Sequence, residues 1–218
     1  MPLITSIEPQ KKKVNRFNIY LDGVFGIGID AEILLKNNLK VGQNLSEKQI
    51  SELISKEELS KLTDKTLHFL SFRPRSERET FQYLSKKIAK SQNITFRQAQ
   101  ESHIVKSIVE KLKKYNYLDD SEFAKWWVHS RIRSNPKGTI VLKRELINRG
   151  ITKEIIDLVL SKYQNQTAIA QKALQKKLKS WKNLSEQDFK KKVYSYLITR
   201  GFDFETIKEV FANFAKKR

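Results

Sequence analysis

The sequence predicts a mainly α protein: an elongated array of tandem three-helix repeats preceded by a small N-terminal β-hairpin. Three observations carry this expectation. Helix-start signals with capping-box spacing recur along the chain. Arg-Gly helix stops recur at a fixed interval near the C-terminus. Asp22-Gly23, a turn dipeptide that tolerates positive φ at both positions, lies between two runs of strand formers.

Residues 3–29 read as strands. Ile4, Val14, Phe17, Ile19 and Leu21, then Val24, Phe25, Ile27 and Ile29, are apolar strand formers with partial alternation. Gly23, Gly26 and Gly28 have the spacing GxxGxG, without the strand–loop–helix context of a dinucleotide-binding turn. From Asp30 onward the pattern is helical. Ser46-x-x-Gln49, Ser76-x-x-Glu79, Thr95-x-x-Gln98 and Asp119-x-x-Glu122 all have the spacing at which a side-chain oxygen caps the third helical amide. Gly150 after Arg149, and Gly201 after Arg200, read as stops: a basic residue ends the helix and glycine takes the left-handed position.

Those stops expose a repeat. A shift of 51 residues superposes Leu146-Ile147-x-Arg149-Gly150 on Leu197-Ile198-x-Arg200-Gly201, and Glu154, Ile156 and Val159 on Glu205, Ile207 and Val210. A shift of 62 places Pro74-Arg75-Ser76 on Pro136-Lys137-Gly138, and Leu84-x-x-Lys87 on Leu146-x-x-Arg149. A three-helix unit of this size cannot bury its own apolar face, so neighbours stack. The expected division is 1–58 for the hairpin and a linking helix (Ser46–Glu58), then repeats at 59–118, 119–164 and 165–218. The first carries an insert near Ile88–Gln100.

Composition narrows the function. There are no cysteines, so disulfides and thiolate metal sites are excluded. No apolar run is long enough to span a bilayer and the start lacks a signal-peptide pattern, so a cytoplasmic location without membrane association is expected. The formal charge is +19, from 43 basic and 24 acidic residues, which favours polyanions such as nucleic acid. A Lys-, Asn- and Ile-rich composition accounts for part of that excess without any binding role. Arginine is scarcer, 11 of the 43 basic residues, yet seven fall in two stretches: Arg73, Arg75, Arg78, then Arg131, Arg133, Arg144, Arg149. A guanidinium grips phosphate or carboxylate through a rigid fork that lysine lacks.

The densest stretch runs from Tyr117 to Arg131. Adjacent Asp119 and Asp120 read as negative charge at a helix N-terminus rather than a catalytic pair. Phe123, Trp127 and Val128 share one helical face and read as core, as do Leu142 and Leu146. Trp126, turned away by about 100°, is either a core-edge residue or an exposed anchor. Arg131 lies one turn after Trp127, within stacking range. Pro136-Lys137-Gly138 breaks the chain between helices, either as a plain connector or as an anion site at the next helix N-terminus. Lys143 and Arg144 follow Leu142; Leu142 and Leu146 point inward, and Arg144, nearly opposite them, should face solvent. Lys176-Lys177 and Lys190-Lys191-Lys192 extend the basic faces. His68, His103 and His129 lack clustered ligand partners, and no HExxH, GxSxG or P-loop is present. No catalytic residue, cofactor or metal is expected.

Leu118-Asp119-Asp120-x-x-Phe123-Ala124-x-x-Trp127-Val128-x-x-Arg131, followed by Pro136-Lys137-Gly138-x-x-x-Leu142-x-x-Glu145-Leu146-x-x-Arg149-Gly150-Ile151, resembles the core signature of the RecX family. Arg73-x-Arg75-Ser76-x-x-Glu79-x-x-x-Tyr83-Leu84-x-x-Lys87 is similar to the family's first-repeat motif. The N-terminal hairpin is similar to the extension of longer, Gram-positive-type members. The Ile88–Gln100 insert departs from the pattern, as do Asn135 and Thr139 beside the Pro-Lys-Gly turn.

The resemblance implies tandem three-helix repeats that bind the groove of the RecA–single-stranded-DNA filament. Such binding limits filament growth, recombination and the co-protease activity behind the SOS response. The expected contacts with filament protein or phosphate are Arg73, Arg75, Lys87, Trp126, Arg131, Arg133, Lys137, Lys143, Arg144 and Arg149. Phe123, Trp127, Leu142 and Leu146 would hold the repeat together, and a monomer is expected. The rival reading is a direct DNA-binding helical module, possibly a transcription-type regulator, which would show sequence preference.

Overall fold

A computed structural model describes residues 1–11, 13–163, 165–181 and 183–215; the side chains of 13, 14, 176 and 215 also lie outside the described set, and with them the expected roles of Val14 and Lys176. Among the described residues three strands, β1 (Ile4–Gln10), β2 (Lys13–Leu21) and β3 (Val24–Asp30), are followed by one short 3₁₀ helix, Lys179–Trp181, and by α-helices. They are α1 (Ala31–Lys36), α2 (Glu47–Ser71), α3 (Glu77–Gln92), α4 (Phe96–Glu101), α5 (His103–Lys114), α6 (Asp120–Ser134), α7 (Thr139–Asn148), α8 (Lys153–Leu160), α9 (Gln166–Leu178), α10 (Glu186–Thr199) and α11 (Phe204–Ala215). The chain divides into two compact units, Met1–Phe72 with Tyr83–Glu110, and Arg73–Gln82 with Lys111–Arg218.

In the first unit the expected hairpin is two strands of a three-stranded antiparallel sheet, ordered β1-β2-β3. Asp22 and Gly23 both have positive φ, 50° and 82°, as the two-residue turn requires. The third strand, β1, carries Pro9 and a register shift beside it. Those features suit an edge strand and obscure its alternation in the sequence. Ile4, Ile19, Ile27 and Ile29 bury one face of the sheet against Ile33, Leu39, Leu45 and Leu53. Arg16, 8% exposed, is ion-paired with Glu57, 2% exposed, and the Glu57 carboxylate also accepts from the Asp30 backbone N–H at 3.2 Å. This buried pair fastens the sheet to α2.

α2 is one helix of 25 residues, capped by the Ser46–Gln49 box. The expected linking helix therefore continues through residue 58 to Ser71, because residues 47–71 contain no glycine or proline to break it. The expected insert is the end of α3 followed by α4, which starts at the Thr95–Gln98 capping box.

In the second unit α6–α7–α8 and α9–α10–α11 are two successive three-helix sets. Phe123, Trp127, Val128, Leu142, Leu146, Ile156 and Val159 close the first core. Ala173, Leu174, Phe189, Val193, Leu197, Ile207 and Val210 close the second. α7 and α10 end alike. Gly150 (φ +84°) donates to Ile147 and Ile151 to Leu146; Gly201 (φ +82°) donates to Ile198 and Phe202 to Leu197.

The shifts of 51 and 62 residues correspond to a junction built twice. At the first, Ser76 Oγ donates to the Arg149 carbonyl at 2.8 Å. At the second, Gly138 N–H donates to the Arg200 carbonyl at 2.9 Å, and the Arg200 guanidinium donates to Asn135 Oδ1 at 2.6 Å and the Pro136 carbonyl at 3.0 Å. The turn that starts one repeat's middle helix thus docks on the Arg-Gly end of the next repeat's middle helix.

Candidate functional site: an arginine cluster around Trp127

The residues that the sequence singled out meet mainly in the second unit, around Trp127 at the centre of α6. Its ring is buried, 7% exposed, and its indole N–H donates to Glu145 Oε2 at 2.8 Å. The Arg131 guanidinium lies 4.2 Å from the ring centroid, as the one-turn spacing suggested, and that of Arg149 lies 3.7 Å away. Trp126 packs at the edge of the Phe123–Trp127 core, with the Arg73 guanidinium 5.3 Å from its ring.

Two carboxylates organise the cations. Glu145 accepts from Trp127, from Arg131 Nε at 2.9 Å and from Lys137. Glu79 accepts a two-pronged contact from Arg73, at 3.0 and 3.2 Å, and a further bond from Arg149. Burial alone would push the Glu145 carboxyl up; the bonds from Lys137 and Trp127 and the charges of Arg131 and Lys137 outweigh it and hold the group below its ordinary value. Burial lowers the Arg73 guanidinium, and burial with the neighbouring Arg73 and Arg75 charges lowers that of Arg149. Arg75, half-buried, is lowered by burial and by Arg73.

Sequence reasoning did not find these carboxylates as hubs. Glu79 reads as the reaching-back member of a capping box. Its backbone N–H does bond Ser76 Oγ, at 3.1 Å, but its carboxylate serves the arginines. Asp119 and Asp120 both lie at the N-terminus of α6, as the sequence reading has them. Asp119 caps α6 through Ser121 and Glu122, whereas Asp120 accepts from the Glu77 N–H at 2.8 Å, at the start of α3. Burial pushes the Asp120 carboxyl up.

The other candidates are dispersed. Lys143 pairs with Asp157 at 3.1 Å. Arg133 and Arg144 are exposed and have no ion-pair or hydrogen-bond partner among the described residues. Lys87 belongs to the first unit, its ammonium 5.4 Å from the Tyr83 ring centroid. On α7 Arg144 lies between Ile140 and Ile147, which are 60% and 51% exposed. Positions 140, 144 and 147 share one helical face, so α7 presents apolar and cationic groups side by side.

Comparison with known proteins places this arrangement. The family model of the regulatory protein RecX N-terminal domain matches residues 2–46; those of the second and third RecX three-helix domains match 119–160 and 164–211. The chain is 36% identical over 209 residues to the regulatory protein RecX of Bacillus subtilis, covering 95% of this chain and 75% of that one. The chain belongs to the RecX family. The RecX of Oceanobacillus iheyensis is 36% identical over 217 residues (96% and 76% of the two chains), and that of Listeria monocytogenes 33% over 211 (94% and 73%). A crystal structure of regulatory protein RecX, 28% identical, superposes with a TM-score of 0.73 over 96% of this chain and 98% of that one. RecX from Lactobacillus salivarius, 22% identical, shares the fold at a TM-score of 0.57 over 71% and 95% of the two chains. Among the described residues no helix is long and apolar enough to cross a membrane. The arginine cluster thus belongs to the second three-helix domain of a RecX protein and to the turn that docks on it.

Proposed function

We propose that this protein is a non-enzymatic modulator of the RecA recombinase. It binds the groove or end of the RecA–single-stranded-DNA filament and limits filament growth, and with it recombination and SOS co-protease activity. It acts as a cytoplasmic monomer, with working divisions at residues 1–58, 59–118, 119–164 and 165–218.

Beside family membership, the outer face of α7 carries this reading. Ile140 and Ile147 with Arg144 between them combine exposed apolar area with an unpaired guanidinium, the composition that anchors protein interfaces. A surface selected for phosphate alone would not need the two isoleucines. The +19 charge supplies long-range attraction to a DNA-containing partner.

Co-sedimentation tests the reading. The protein should pellet with RecA filaments formed on single-stranded DNA more tightly than with the same DNA alone, at equal salt. Ile147→Asp should weaken filament binding and leave binding to bare DNA unaltered. Equal affinity for bare DNA and filament would contradict the reading and favour the direct DNA-binding alternative.

A further inference from the structure

A cavity of about 310 Å³ opens beside Trp127 in the second unit. Trp127 and the guanidinium-bearing Arg78, Arg131 and Arg149 line it, together with the carboxylates of Glu79 and Glu145. Arg78 is exposed and has no hydrogen-bond or ion-pair partner among the described residues. Its stem lies over Gly150, where a Cβ would stand 2.8 Å from Arg78 Cβ and 2.9 Å from Cδ. The absence of a side chain at Gly150 therefore lets Arg78 reach across the junction. Arg131 uses Nε on Glu145 and Arg149 uses Nη1 on Glu79, which leaves other guanidinium N–H groups of both around the same space.

We propose that this cavity is a socket for one acidic side chain, Asp or Glu, of a protein partner. The proposal deepens the filament-docking reading and rests on it for the partner being a protein. Three observations select the occupant. First, the cluster already seats two carboxylates, Glu79 and Glu145, through the forked and multiple N–H contacts that a third would use. Second, the three cations that line the cavity, Arg78, Arg131 and Arg149, exceed its two carboxylates by one charge, and Arg73 and Lys137, paired to those same carboxylates, add two more beside it, so a monoanion is attracted. Third, the cavity is confined to about 310 Å³, a size that a group carried on a stem can enter. A carboxylate arrives at the tip of a short aliphatic chain. A nucleic-acid phosphate lies between two sugars, and its strand needs an open groove to run along.

The test needs no RecA, so it can fail while the filament reading stands. A capped hexaglutamate peptide is titrated into the ¹⁵N-labelled protein while the indole N–H signals are followed, with oligothymidylate and inorganic phosphate titrated in parallel. The expected result is a saturable shift of the Trp127 signal with peptide and none at Trp181. Arg78→Ala should weaken the peptide about fivefold without changing the unfolding midpoint, and exposed Arg97→Ala should leave it unaltered. A Trp127 signal unmoved by the peptide would overturn the proposal. So would equal peptide affinity in Arg78→Ala, or a larger effect of oligothymidylate at lower concentration. Failure of wild-type protein to co-sediment with filaments, with the peptide shift intact, would instead remove the filament reading.

Discussion

Gly138 and Gly201 meet backbone to backbone: a Cβ on Gly138 would stand 2.1 Å from the Gly201 carbonyl oxygen, and one on Gly201 would stand 2.5 Å from the Val141 nitrogen. The contact is made where the start of α7 receives the end of α10, and it explains the glycine at both positions. Gly138→Ala must push the junction apart, since both colliding groups are backbone. It should destabilise the protein by about 3 kcal/mol in urea unfolding. Gly42→Ala, at φ +86° in open space, serves as the comparison and should cost only about 1 kcal/mol.

Trp127 combines core burial with a specific hydrogen bond, and two substitutions separate them. Trp127→Phe keeps most of the ring but leaves Glu145 one donor short, which should cost about 1–2 kcal/mol. Trp127→Ala also removes the core of α6 and should cost roughly 3–5 kcal/mol. Chemical denaturation measures both: no loss in Trp127→Phe would mean that the hydrogen bond contributes nothing, and equal losses would mean that burial of the ring adds nothing to it.

Glu145 should make stability acid-sensitive. Its carboxyl is held below its ordinary value in the folded protein, so the folded state binds that proton less readily than the unfolded chain. The stabilisation is fully present above the unfolded value of about 4.3 and is lost as pH falls through the lower folded value. Glu145→Gln should therefore be less stable than wild type at neutral pH, and the gap should narrow as the pH drops below about 4. A gap independent of pH down to about 3 would contradict this origin.

The arginines divide into two kinds, and mutation should distinguish them. Arg149 holds Glu79 and covers Trp127, so Arg149→Ala should lower stability by about 1–2 kcal/mol. Arg133 and Arg144 are exposed, and their replacement by alanine should change stability by less than about 0.5 kcal/mol. If either meets DNA phosphate in the filament, its loss should reduce the salt slope of filament binding by about one.

Much of the fold was legible from local rules. Ser46 and Thr95 show themselves as caps because the box is confined to four residues, and Gly150 and Gly201 as stops because a left-handed residue is rarely anything else. Asn38, Asn93 and Asn116 do the same work with φ of 47°, 52° and 58°, and escaped notice because asparagine is common in this chain and equally at home in caps and loops. The continuity of α2 escaped the sequence reading because a division between repeats was taken for a break in the helix, and α2 runs through it. At the site, the spacing of Trp127 and Arg131 foretold their stacking, since four residues make one helical turn. The pairing of Arg149 with Glu79 joins positions 70 residues apart. No periodicity encodes it, so the cations that sequence reading assigned to a partner include several already engaged within the molecule.

The most direct test of the central claim is the single-stranded-DNA-dependent ATPase of the cognate RecA, with this protein added below one copy per recombinase and free DNA in excess. The account predicts strong loss of activity at that ratio, because one groove-bound or end-bound molecule limits the growth of many RecA subunits. Activity that stays unchanged until the DNA itself is saturated would contradict it and leave simple competition for DNA as the protein's mode of action.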